Sequence, residues 1–200
     1  MSSNNPLTVE VTRGDMVESR HMGACVVVDA DGGILHAWGD QDRVVYPRSA
    51  IKPLQALALI ETGAAGAYRL SDAELALAAA SHSATPDHVN AVAGWLKRVG
   101  LSQSDLECAG HDPMNRGADK ALVRAGTTPG ALHNNCSGKH TGFLTVLSHL
   151  GLPLDGYLDP GHRLQADHVT PSIERTCGVD LTAAHPGVDG CGIPVWSMPL

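Results

Sequence analysis

Strict alternation of apolar and polar residues is confined to the front of the chain, and this confinement limits the fold more than any other feature. From Pro6 to Arg13, Leu7, Val9 and Val11 alternate with Thr8, Glu10 and Thr12, which is the period of a half-buried strand. Gly23–Ala30 is a short valine-rich run, and Asp31-Gly32-Gly33 predicts a hairpin before Ile34–Trp38. A turn at Gly39–Asp42 leads into Arg43–Tyr46. The expectation for residues 1–47 is an antiparallel meander of three or four strands.

Past that point the pattern becomes helical. Pro53–Thr62 is apolar and rich in helix formers, with Gly63 as its stop. Ser71-Asp72-Ala73-Glu74 reads as a capping box, with Leu70 and Leu75 placed to staple it, and predicts a helix to about Ala80. Thr85-Pro86 starts another that ends at Gly100. Ala118–Ala125 reads as a short helix stopped by Gly126 and Lys139–Leu150 as a longer one stopped by Gly151, and a last helix is expected from Asp159-Pro160 to about Cys177, bent at Pro171. Strands first and helices later point to α+β, not to a doubly wound parallel sheet. Residues 48–178 are then mainly helical, and residues 179–200 begin a return to the sheet. The apolar ending GCGIPVWSMPL leads us to expect a single domain that continues beyond Leu200.

Charge and aromatic content exclude some partners. Twenty-one acidic against fourteen basic residues give a net charge of −7, so no basic excess exists to neutralise a nucleic-acid backbone. One Phe, three Trp and three Tyr are too few for a single-strand stacking platform. The longest apolar runs, Leu54–Ile60 and Leu75–Ala80, fall far short of the ~20 residues of a membrane span. The start, MSSNNPLTVEVTRG, lacks a basic region followed by an apolar one. Cys25, Cys108, Cys136, Cys177 and Cys191 are an odd, scattered set, which fits reduced thiols and a cytoplasmic location.

Four short segments carry chemistry. In Arg48-Ser49-Ala50-Ile51-Lys52-Pro53, three-residue spacing puts the serine and the lysine on one side of a turn, where an uncharged amine can take the hydroxyl proton. Pro53 has no N–H and disfavours the α conformation at Lys52. Ser49–Lys52 is therefore expected as the tight turn that leads into the helix, aiming the hydroxyl at its positive end, where an oxyanion would be stabilised. Only four lysines exist (Lys52, Lys97, Lys120 and Lys139), and this one lies in an apolar setting that desolvates it. Ser81-His82-Ser83, after an Ala-rich helix, could be turn and capping residues; alternatively, Ser81 could be a second hydroxyl that relays a proton.

His133-Asn134-Asn135-Cys136-Ser137-Gly138-Lys139-His140 packs amides, a thiol, a hydroxyl, an amine and two imidazoles into a helix start. Asn134 and Asn135 could bind substrate, and Ser137 could cap. Cys136 could be a nucleophile, a metal ligand or a small buried hydrophobe. No common zinc spacing is present. In Val188-Asp189-Gly190-Cys191-Gly192, Asp189 could hold a substrate ammonium, or the segment could be a plain turn beside a buried thiol. His36, His88, His111, His149, His162, His168 and His185 show no paired metal spacing.

Taken together and in this order, RSAIKPLQ, ASHS, HNNCSGKH and VDGCGIPV resemble the L-asparaginase II family, the rhizobial type of L-asparaginase, over essentially the whole chain. The resemblance implies an α+β fold of the serine β-lactamase and penicillin-binding-protein kind. It implies Ser49 as nucleophile, Lys52 as the lysine that activates it, and Ser81 as the serine of a second serine–lysine pair. That pair's lysine is expected in a portion beyond Leu200. The resemblance further implies a zinc ion among Cys136, Lys139 and Cys191, a substrate pocket lined by Arg48, Asn134 and Asp189, no organic cofactor, and a homodimer. The implied reaction converts L-asparagine to L-aspartate and ammonia through an acyl-enzyme. Another serine–lysine hydrolase, acting on glutamine, a peptide or a lactam, stays open, as does a truncated, non-catalytic protein that binds zinc or a partner.

Overall fold

The computed structural model describes residues 5–182, 184 and 186–199, which form two compact units: residues 5–46 with 197–199, and residues 47–196. His185 of the sequence analysis lies outside the described residues.

The first unit is built from two hairpins. Strands β1 (Leu7–Arg13) and β2 (Met16–Met22) pair antiparallel, with Arg13 opposite Met16. The two residues between them reverse the chain, and Gly14 takes φ +59°, where glycine carries no steric penalty. Strands β3 (Cys25–Val28) and β4 (Ile34–Trp38) pair around the expected Asp31-Gly32-Gly33 turn. The Asp29 carboxylate braces that turn by accepting the N–H groups of Asp31 and Gly33 at 2.9 and 2.7 Å.

This corrects the single meander: β1–β2 and β3–β4 are separate two-stranded ladders. Strand β2 has no alternation to betray it. Its polar run Glu18-Ser19-Arg20 is instead held by cross-strand charge, with Arg20 on Glu10 at 2.8 Å and Arg13 on Glu18 at 2.8 Å. Arg43–Tyr46 is likewise not a strand. Only Val45 pairs, antiparallel to Met198, through bonds of 2.9 and 3.0 Å. The apolar side chains of both hairpins, among them Leu7, Val9, Ile34 and Trp38, are largely exposed.

The second unit is helical: α1 (Lys52–Glu61), α2 (Ala64–Ala67), α3 (Asp72–Ala78), α4 (Pro86–Arg98), α5 (Arg116–Ala125), α6 (Ser137–Leu150) and α7 (Thr170–Cys177). The capping box at Ser71 forms as read: Ser71 Oγ accepts the Glu74 N–H at 3.3 Å, and Glu74 Oε2 accepts the Ser71 N–H at 2.9 Å. Gly63, Gly126 and Gly151 cap helices α1, α5 and α6 with positive φ. Helix α6 is the axis of the unit. Every residue from Ser137 to Leu147 is buried, as expected of a helix with no polar face. Helices α1, α3 and α4 pack around it. The core between them includes Leu59, Leu77, Trp95, Leu96, Leu144 and Leu147, each worth roughly 2–3 kcal/mol of apolar burial.

The last helix departs from its expected bounds. Residues 164–169 form a widened, π-type turn before α7 begins at Thr170. Pro171 has no N–H to give and so sits in the first turn of α7, where none is needed. Strands β5 (Gly187–Val188) and β6 (Pro194–Val195) then pair antiparallel around the Asp189–Gly192 turn.

Candidate active site

The Ser49 segment folds as a 3₁₀ turn over Arg48–Ile51, and α1 begins at Lys52, one residue earlier than expected. Arg48 is exposed and holds φ +53°, a strained left-handed conformation for a non-glycine residue. Ser49 and Ser81 are exposed, whereas Lys52 is only 2% exposed. Lys52 Nζ donates to the Ala80 carbonyl at 2.9 Å and to Ser81 Oγ at 2.6 Å. Ser81 Oγ in turn lies 2.8 Å from Ser49 Oγ, and either hydroxyl can donate. The wiring therefore differs from the direct pair expected of the three-residue spacing. The hydrogen bonds run Lys52–Ser81–Ser49, and the lysine that meets Ser81 is Lys52.

Two of the backbone N–H groups at the helix mouth are already committed. Ala50 donates to the Pro47 carbonyl at 3.1 Å, and Lys52 donates to the Ser49 carbonyl. The Ser49 N–H remains the candidate donor for an oxyanion.

The loop before α6 places its residues unequally. Cys136 occupies the N-cap position and Ser137 is the first helical residue, so Ser137 does not cap. Asn134 is 1% exposed. Its Nδ2 donates to the Ala109 carbonyl at 2.6 Å, and its Oδ1 accepts the Cys136 N–H at 2.9 Å. Both ends of the amide thus brace the loop. This is a different job from the pocket-lining one expected of it, and burial of this kind leaves no mark in residue spacing.

A second cluster lies at the end of the β5–β6 turn. Donor atoms of Cys136, Asp189 and Cys191 lie within 4.8 Å of one another, the only such cluster among the described residues. Lys139, 2% exposed, donates to Cys191 Sγ at 3.1 Å and approaches Asp189 Oδ2 at 3.5 Å. Asp189 Oδ1 accepts the backbone N–H groups of Cys191 and Ile193 at 2.8 and 3.2 Å and the Cys191 thiol at 2.9 Å.

Charge balance follows from these contacts. The thiol of Cys191 keeps its proton, pushed up by the neighbouring Cys136 sulfur, by burial and by Asp189. Cys136 is pulled down to about 5 by Cys191 beside it, against burial and with help from Lys139 and Lys52. Burial raises the Asp189 carboxyl, but Lys139 and the donors from Cys191 and Ile193 more than reverse it, and the net shift is downward. Burial opposes the charge on Lys139, yet Cys191, Cys136 and Asp189 hold its pKa above the ordinary range.

Two sulfurs and a carboxylate in a buried cluster suit zinc, which takes soft sulfur donors with tetrahedral geometry, and Lys139 can join them only by giving up its proton. The cluster therefore fits the ion that the resemblance implies. No histidine joins it among the described residues.

The family model for L-asparaginase II matches residues 9–200, and the chain belongs to that family. No curated protein matches the chain. No helix among the described residues is long and apolar enough to cross a membrane.

Proposed function

We propose that this protein hydrolyses the side-chain amide of L-asparagine through an acyl-enzyme on Ser49, on a framework of the serine β-lactamase type. The observation that carries this reading is the chain of short contacts from buried Lys52 through Ser81 to exposed Ser49, at 2.6 and 2.8 Å. Membership of the L-asparaginase II family supports the choice of amide.

With Lys52 as the free amine, Ser49 passes its proton to Ser81 as Ser81 passes its own to Lys52. Ser49 Oγ then attacks the amide carbon, and the Ser49 N–H receives the developing oxyanion. The proton returns along the same path to the leaving nitrogen, which departs as ammonia. Water next cleaves the aspartyl ester, with the relay taking its proton. Asp189 and Arg48 are the charged groups assigned to the substrate ammonium and carboxylate.

Cys136, Cys191 and Lys139, with Asp189 beside them, would hold zinc. Bound there, the ion supplies positive charge and a fixed geometry next to the relay. Metal content measured on metal-free-buffer preparations should fall by about one equivalent in Cys136→Ser; equal contents remove Cys136 from the ligand set. The same reading carries a homodimer, which sizing in solution tests.

Ammonia release from asparagine and from glutamine, measured side by side, tests the central assignment. Wild type should favour asparagine, and Ser49→Ala should lower turnover by about 10⁴-fold or more with the fold intact. Undiminished turnover in Ser49→Ala removes the nucleophile assignment, and a preference for glutamine moves the substrate.

A further inference from the structure

The loop that carries Ser81 holds a strained residue that the reaction itself does not require. Ala84 is fixed at φ +55°, a conformation that costs a non-glycine residue roughly 1–3 kcal/mol and persists only where its surroundings over-determine it. The constraint comes from His82. This imidazole is 4% exposed, and its Nδ1 accepts the Ala84 N–H at 3.2 Å. Its Nε2 lies 2.8 Å from Ser137 Oγ, 55 residues away in the chain. The backbone N–H of His82 donates to the Asn135 carbonyl at 3.0 Å.

These contacts settle the direction of each bond. Nδ1 is an acceptor, so the neutral ring carries its proton on Nε2. Nε2–H donates to Ser137 Oγ, and the Ser137 hydroxyl donates to the Leu132 carbonyl at 3.0 Å. The ring of His88 stacks on His82 with centroids 5.2 Å apart. Both nitrogens are thus in use. Although it adjoins Ser81 in sequence, His82 has no lone pair left to act as its base.

We propose that His82 is a positioning residue, clamping residues 80–84 onto the start of α6 so that the Ser81 hydroxyl stays between Lys52 and Ser49. The proposal rests on the serine–lysine reading given above. A clamp is needed there because both serine side chains are exposed, and water can compete for any hydroxyl that is not held. Misplacing a reacting group by about 1 Å costs on the order of 100-fold in rate.

The test uses the whole protein and three variants. His82→Leu fills the site without hydrogen bonds, His82→Gln restores an N–H near the Nε2 position, and Ser137→Ala removes the acceptor. For asparagine hydrolysis, His82→Leu should lower kcat by about 100-fold while KM stays within about threefold. His82→Gln should regain about tenfold of that loss, and His82→Leu combined with Ser137→Ala should be no worse than His82→Leu alone, because both act through one bond. Crystal structures should show the Ser49–Ser81 separation opening beyond about 3.5 Å in His82→Leu and closing again in His82→Gln.

A His82→Leu variant with kcat within twofold of wild type, or with the two hydroxyls still in contact, would overturn the clamp. If His82→Leu does not fold, Ser137→Ala alone must show the same loss of kcat and the same opening, and its failure to do so also overturns the clamp. A wild-type protein that releases no ammonia from asparagine, glutamine or other amides defeats the proposed reaction instead. The hydroxyl separation in the variants then still decides the role of His82.

Discussion

Ser81 Oγ has a lysine nitrogen on one side and a serine oxygen on the other, and its removal would break the path between them. We therefore expect Ser81→Ala to lower turnover by about 10²–10⁴-fold, the usual contribution of a positioned proton-transfer group. If Lys52 instead served Ser49 directly, Ser81→Ala would keep most of its activity, so steady-state ammonia release separates the two wirings. The residue types of this relay were legible in the sequence only through the four motifs taken together and in order, because a hydroxyl and an amine three positions apart occur often by chance. Their connection was not. Spacing along a turn says which side chains share a side, but Ser81 enters from a different helix end, and only folding brings it between the other two. Asn134 shows the same limit: its sequence neighbourhood suggested ligand contact, while its 1% exposure and two internal hydrogen bonds make it a brace.

Among the elements, α6 depends on the absence of a side chain. A Cβ on Gly138 would lie 2.5 Å from the Leu77 carbonyl oxygen and 2.7 Å from Leu77 Cγ, so α3 and α6 approach there as closely as backbone permits. Gly138→Ala should cost about 1–3 kcal/mol through overpacking despite alanine's better helix propensity. A rise in the denaturant midpoint of Gly138→Ala would refute the close approach. Helix ends were the most readable part of this level, since Ser71, Gly63, Gly126 and Gly151 carry local chemistry that fixes a terminus whatever lies beyond it. Strand β2 was hidden because its polar residues pair across the hairpin rather than alternate. The π-type turn at residues 164–169 was hidden because a proline predicts where a regular helix restarts, not how the preceding turn widens.

For the molecule as a whole, acid should weaken the fold before it protonates most carboxylates. Burial, reinforced by the nearby His88, Lys52, His111 and His133, lowers His82 from 6.5 to about 4. His140 is also lowered well below 6.5, chiefly by burial and then by Lys139. Its Nδ1 is taken by the Tyr157 hydroxyl at 2.8 Å, and its buried Nε2 has no hydrogen-bond partner among the described residues. Both rings stay neutral in the folded state while the unfolded chain binds protons near pH 6.5, so the unfolded state gains protons on acidification. Their contribution is complete above pH 6.5 and is lost as pH falls toward 4, by about 3 kcal/mol for His82 over that window. Urea unfolding at pH 7.5, 6 and 5 should show a steady fall, flatter in His82→Gln; equal stabilities across this range contradict the buried neutral rings.

Of the four lysines, Lys97 and Lys120 are exposed, whereas Lys52 and Lys139 are each 2% exposed. Amine-directed labels will therefore mark the outside of the protein and spare the nitrogen that matters, while hydroxyl-directed acylating agents meet Ser49 at the surface. The reactive pair is split by accessibility: an attacker that solutes can touch, and a proton store that they cannot.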